Sequence, residues 1–244
     1  MSAVWAHCPS LPPAAPASIR LADDESRHAG GSRRLRAGDP ITLFNGDGLV
    51  GEGTIAATSD GTGLDVALTL VRRAAPPEPI VDVASALPKG DRLASLLEAL
   101  GPLGARRFVP LTCERSIVAW SDSMRARAER VLVASCKQAR QPFVPTIASR
   151  STLVEAVQAS ARERATVILA HPDGEPISSV AHALRTGAAP CASQSVLVVV
   201  GPEGGLAPLE VASARDAGAI PISLGKSILR IELAVACALA AFRA

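Results

Sequence analysis

The chain has 244 residues, 48% of them hydrophobic and 20% charged, a composition that can bury a core and excludes a disordered or low-complexity protein. Lys and Arg number 25 against 23 Asp and Glu, a formal charge of +2, so no basic tail announces a nucleic-acid partner and any RNA contact must come from local arginine clusters. Two Trp, four Phe and no Tyr argue against a stacked-aromatic platform for single-stranded bases.

Residues 1–17 carry no basic residue ahead of an apolar stretch and do not read as a signal peptide. Short strands are predicted at 18–21, 41–44, 53–57 and 64–71, separated by turn clusters such as Asn45-Gly46-Asp47-Gly48 and Ser59-Asp60-Gly61. Regular short strands with such turns suggest a small β-barrel. The Pro-rich stretch 74–79 suits neither helix nor central strand, so the linker is placed at 74–78, between a domain 1–73 and a domain 79–244. Beyond it the pattern becomes α/β. Apolar strands are predicted at 80–84, 108–111, 166–170, 195–200 and 220–224, alternating with helices at 92–100, 123–138, 153–163, 208–217 and 231–242. Continuous apolar strands between helices indicate a mostly parallel sheet covered on both faces.

The longest apolar run, 233–242, falls well short of the roughly 20 residues that cross a bilayer. Cys8, Cys113, Cys136, Cys191 and Cys237 are scattered, with no CxxC pair and no clustered histidines, so neither a disulfide framework nor a metal site is expected. The reading is a soluble, cytoplasmic protein without metal.

Ligands of open α/β sheets bind beyond the carboxyl ends of the strands. Three late strands end in suggestive turns: Ala170-His171-Pro172-Asp173-Gly174, Gly201-Pro202-Glu203-Gly204-Gly205 and Leu224-Gly225-Lys226-Ser227. Any one could simply terminate a strand; three in one half of a chain point to a shared small-molecule crevice. The glycine turn at 201–205 has neither GxGxxG nor Walker spacing, and Glu203 would repel phosphate. A cationic, purine-containing ligand suits it better than a nucleotide triphosphate.

Residues 197–206, with Ile222-Ser223-Leu224-Gly225 and Ser227-Ile228-Leu229-Arg230-Ile231-Glu232-Leu233-Ala234, resemble the signature of the ribosomal RNA uracil-N3 methyltransferases, the RsmE family of the knotted SPOUT superfamily. The likeness extends to Arg27-His28, residues 33–39 and 43–48 in the first domain, and to Lys89-Gly90-Asp91-Arg92, Leu103-Gly104, Pro110-Leu111, Glu114-Arg115-Ser116, Cys136, Gln138, Val144 and Pro145 in the second. The resemblance implies an N-terminal PUA-like β-barrel, an α/β SPOUT domain with a C-terminal trefoil knot, S-adenosyl-L-methionine as cofactor, a homodimer, and 16S rRNA or the small ribosomal subunit as partner. It implies that Leu169, His171, Gly201, Pro202, Glu203, Gly204, Gly205, Leu224, Gly225 and Leu229 hold the cofactor. Arg230 would position the uracil or a phosphate, with Glu232 orienting the loop. Arg27, His28, Arg33, Arg34, Arg36, Arg115, Arg125 and Arg127 would contact RNA.

The chain departs from the family pattern at Ile231 and Leu233, where threonines are usual, at Ala99, Gly101 and Pro102, and at Gly30-Gly31. Other readings therefore stand beside methyl transfer to N3 of a uridine: a non-catalytic RNA-binding or assembly factor on the same fold, or a SPOUT methyltransferase with another RNA target. An Arg230–Glu232 ion pair and a purely structural His171 are the alternatives at those residues.

Overall fold

The computed structural model describes residues 3–27, 29–30, 35–56, 63–186 and 195–243. The predicted turn at 59–61, together with His28, Arg33, Arg34 and Cys191, lies outside the described residues. The chain divides into two compact units, Met1–Pro76 with Cys136–Val144, and Pro77–Ser135 with Pro145–Ala244.

The first unit is a five-stranded sheet in the order β1-β3-β4-β5-β2, formed by β1 (Val4–His7), β2 (Ala17–Arg20), β3 (Pro40–Phe44), β4 (Leu49–Ala56) and β5 (Asp65–Arg73). β1 runs parallel to β3, and the remaining neighbours are antiparallel. Side chains alternate across each strand, so Ile41, Leu43, Leu49, Ile55, Val66 and Leu68 meet on one face as its core. The predicted Asn45 turn joins β3 to β4, and the Asn45 carboxamide oxygen accepts the N–H groups of Asp47 (2.8 Å) and Leu49 (2.9 Å). β1 went unpredicted because four residues carry too little alternation to stand out. α1 (Asp23–Arg27) holds Glu25, whose carboxylate takes both of its bonds from Lys137 Nζ, at 2.7 and 2.8 Å.

The second unit is a parallel sheet in the order β12-β10-β11-β6-β7-β8, with β9 beside β7. Its strands are β6 (Ile80–Ala86), β7 (Ala105–Thr112), β8 (Thr146–Ile147), β9 (Ser151–Thr152), β10 (Thr166–Pro176), β11 (Ser195–Val200) and β12 (Ile220–Ser223). Its helices are α2 (Arg92–Leu100), α3 (Asp122–Ala139, of which the residues from Cys136 on belong to the first unit), α4 (Leu153–Arg162), α5 (Ile177–Arg185), α6 (Pro208–Asp216) and α7 (Ile231–Ala241). Val83, Phe108, Ile168 and Val198 are fully buried, as strands covered on both faces require. α2 and α7 pack together through apolar faces that include Leu96, Leu100, Val235 and Leu239. Arg243 ties the end of the chain down by donating to the carbonyls of Leu103 (3.0 Å), Pro79 (2.8 Å) and Gly104 (2.6 Å). At the amino-terminal edge of the sheet, buried Asp82 accepts from Arg106 (2.8 and 2.6 Å) and Arg107 (2.9 Å), and both guanidiniums also reach Glu163.

Two differences from the sequence reading bear on the site. The strand predicted to stop at Ala170 continues to Pro176: residues 171–174 bulge out between two stretches that both pair with β12, so that Ala170 and Glu175 face the same residue, Ile222. α5 follows at once and was missed, because Pro172, Asp173, Gly174 and Pro176 read as loop.

Candidate functional site

Three chain segments, the bulge within β10 and the turns beyond the carboxyl ends of β11 and β12, enclose a cavity of about 430 Å³, within the range of roughly 300–1,000 Å³ typical of small-molecule sites. The first wall is the β10 bulge, with His171 and Pro172 on the lining. The Asp173 N–H lies 3.3 Å from His171 Nδ1, and the Asp173 carboxylate lies 3.8 Å from the same nitrogen, so Asp173 fixes the imidazole at the mouth of the cavity.

The second wall is the glycine turn. The Gly205 N–H closes it onto the Pro202 carbonyl at 2.8 Å, and Gly205 adopts φ +72°. That is the left-handed region, which costs an L-residue about 1–2 kcal/mol and glycine nothing comparable. The turn then enters α6, where Pro208 occupies the first turn. The Glu210 carboxylate accepts the Ala207 N–H (2.9 Å) with one oxygen and the Glu114 N–H (3.0 Å) with the other.

The third wall runs from β12 to α7. The Ser223 hydroxyl donates to the Gly225 carbonyl (3.2 Å) and accepts its N–H (3.3 Å), turning the chain toward Lys226 and Leu229. The floor adds Ile231 and Ala234, both from the first turn of α7. Their spacing of three places them on one helix face, a signal present in the sequence but not used to define the site.

Of the residues the resemblance assigns to the cofactor, His171, Gly201, Pro202, Glu203, Gly204, Gly205, Leu224, Gly225 and Leu229 all line this cavity. Leu169 does not. It is wholly buried in β10, and Ala170 reaches the lining in its place. Arg230 caps α7 with its backbone, its carbonyl accepting the Ala234 N–H at 2.8 Å, while its side chain is exposed. It forms no ion pair with Glu232 among the described residues. Glu232 Oε2 is buried without a hydrogen-bond partner among those residues, so no loop is seen to be oriented by that oxygen.

The arginines assigned to RNA separate by their partners. Arg27 and Arg36 are exposed in the first unit, and Arg127 is exposed on α3. Arg125 instead donates to the carbonyls of Ile147 and Ala148, both at 2.8 Å, which holds the segment after β8. Arg115 donates to the Gly204 carbonyl at 2.9 Å. Lys137, also basic and near these arginines in sequence, is committed to Glu25.

Residues 76–243 match the family model of an RNA methyltransferase domain, and residues 21–66 match that of an RNA methyltransferase PUA domain. A ribosomal RNA small subunit methyltransferase E of Mycobacterium bovis is 34% identical over 227 residues, covering 89% of this chain and 83% of its own. The protein of the same name from Bacillus subtilis is 27% identical over 92% of this chain and 89% of its own. The fold is similar to that of a Neisseria gonorrhoeae ribosomal RNA small subunit methyltransferase E solved with S-adenosyl methionine, with a TM-score of 0.84 at 24% identity over 99% of this chain and 97% of that one. The chain accordingly belongs to the ribosomal RNA small subunit methyltransferase E family, with a PUA-like domain followed by a SPOUT-type α/β RNA methyltransferase domain.

Proposed function

We propose that this protein transfers a methyl group from S-adenosyl-L-methionine to N3 of a uridine in 16S rRNA, as a cytoplasmic homodimer acting during small-subunit maturation. The observation that carries the reading is the convergence of the three segments on one cavity of about 430 Å³ whose only acidic lining side chain among the described residues is Glu203. That lining fits the cofactor: backbone groups of the glycine turn can face an adenine, the apolar Leu224, Leu229 and Ile231 can cover its rings, and the carboxylate complements a sulfonium. His171, Gly201, Pro202, Glu203, Gly204, Gly205, Leu224, Gly225 and Leu229 would hold it.

When bound, S-adenosylmethionine supplies an electrophilic methyl carbon on a positively charged sulfur. In the transfer the N3–carbon bond forms as the carbon–sulfur bond breaks, and the N3 proton passes to solvent. Uracil gains negative charge as that proton leaves, so a fixed cation near its oxygens lowers the barrier. Arg230 is suited to this. Its backbone is anchored at the α7 cap between the lining residues Leu229 and Ile231, and its exposed guanidinium is free to fork onto carbonyl oxygens or a phosphate. The division of labour proposed is a first domain at 1–73 gripping RNA through Arg27 and Arg36, a linker at 74–78, and catalysis in 79–244; the matches of 21–66 to a PUA model and of 76–243 to a methyltransferase model support its order.

The exposed apolar side chains Leu209, Ile228 and Leu233 near the cavity and on α7 support a second copy of the chain as partner, since such groups seek burial. The test of the function is the 16S rRNA of a strain lacking this protein. Nucleoside mass spectrometry should show N3-methyluridine lost and restored on complementation; an unchanged N3-methyluridine content would refute the assignment.

A further inference from the structure

The glycine turn does not stand alone. Two arginines hold it, one from the start of α2 and one from the loop after β7. Arg92, the first residue of α2, places Nη1 3.4 Å from Glu203 Oε1, and both side chains are 34% exposed. Arg115, in the loop after β7, donates to the carbonyl of the next residue, Gly204, at 2.9 Å. The acidic side chain of the lining is therefore shared between the cavity and a cation outside it, since Arg92 does not itself line the cavity.

That sharing has a chemical consequence. Methyl transfer leaves a ligand of nearly the same shape but removes one positive charge, turning a sulfonium into a neutral thioether. A carboxylate on the wall attracts the first form and not the second. How strongly it discriminates depends on how much of its field a neighbouring cation cancels. We propose that Arg92 is a positioning residue that sets, through Glu203, how strongly the site prefers the charged methyl donor to its spent neutral product, an inference that rests on the cofactor reading of the cavity. Arg115 fixes the same turn through the Gly204 carbonyl, whereas Arg92 is the one that pairs with the carboxylate. The pairing keeps the preference moderate, because Arg92 cancels part of the field by which Glu203 favours the charged donor.

The experiment measures the dissociation constants of S-adenosylmethionine and S-adenosylhomocysteine by calorimetry on the full chain, for the wild type, Arg92→Gln, Arg92→Lys, Glu203→Gln and the double variant Arg92→Gln/Glu203→Gln. The pair is partly solvated, so the change in the ratio of the two constants should be about threefold to tenfold. Arg92→Gln should raise the preference for the charged ligand, Glu203→Gln should lower it, Arg92→Lys should stay near the wild type, and the double variant should match Glu203→Gln alone. Equal changes for both ligands in Arg92→Gln would overturn the proposal, because a merely structural role weakens both alike. So would an effect of Arg92→Gln that persists without Glu203. Failure of the wild type to bind either ligand would instead overturn the cofactor reading itself, and this inference with it.

Discussion

Substituting Gly205 by valine isolates the conformational demand of the glycine turn. Gly205 sits at φ +72° with nothing among the described residues within 4 Å of an added Cβ, so the first carbon of the new side chain meets no neighbour and the penalty there is that of the backbone. For an L-residue in the left-handed region this is about 1–2 kcal/mol, which corresponds to roughly 5- to 30-fold if the turn must hold this shape to bind. Gly218 supplies the control. It lies after α6 at φ +93°, also with nothing within 4 Å, and does not line the cavity. Gly218→Val should lose thermal stability with S-adenosylmethionine binding unchanged, whereas Gly205→Val should weaken binding in calorimetry by up to that factor, with a correspondingly smaller loss of thermal stability, because its turn relaxes in the free protein and must be re-formed around the ligand. Gly205→Asn should lie between, because asparagine tolerates the left-handed region. Unchanged affinity in Gly205→Val, or equal weakening in Gly218→Val, would refute the argument. Gly204→Val is the less informative change, since a Cβ there meets Arg115 Cβ at an ordinary 3.6 Å.

Asp82→Asn should lower the melting temperature by about 5 °C, since two arginines are left facing each other around a loss of about 2 kcal/mol, with the solvent exposure of Arg106 discounted. In the same network the hydrogen bonds from Arg107 hold the Glu163 carboxyl below its ordinary range; its stabilisation is complete above the unfolded-state pKa and lost as pH falls toward the lowered folded value, so acid melting should be less steep in Glu163→Gln. Alanine at both Arg27 and Arg36 should reduce the salt dependence of RNA binding by about one to two in slope, whereas Arg125→Ala should leave the slope alone and lower the melting temperature, its guanidinium being spent on Ile147 and Ala148. Arg230→Lys should slow single-turnover methyl transfer about a hundredfold with cofactor affinity unchanged; an unaltered rate would remove Arg230 from the mechanism.

The legibility of this chain followed the range over which each signal acts. β11 and α2 have the predicted bounds because a run of valines between polar turns and an apolar period in a nine-residue helix are local facts. The convergence of the three late turns was legible too, because parallel strands place their carboxyl ends on one edge. The β10 bulge was not, since a strand that leaves and resumes pairing at the same residue of its neighbour looks like a strand end followed by a loop. Nor could the sequence show that Cys136–Val144 joins the first unit, or that Lys137 meets Glu25 and Arg92 meets Glu203. Those are contacts between distant segments, and a basic residue on a helix reads the same whether its partner is phosphate, carboxylate or water. The trefoil knot was an implication of resemblance alone. Hydrophobic periodicity says which segments are strands, not which segment passes through which loop.

The most direct test of the account is methylation by the purified protein of 16S rRNA and of small subunits taken from a strain that lacks it, with S-adenosylmethionine labelled in the methyl group. After digestion, mass spectrometry should find the label in N3-methyluridine and nowhere else, with transfer strongly reduced for Gly205→Val and Arg230→Lys. Label in another nucleoside or on a ribose hydroxyl, or no transfer by a protein that binds both cofactor and RNA, would contradict it.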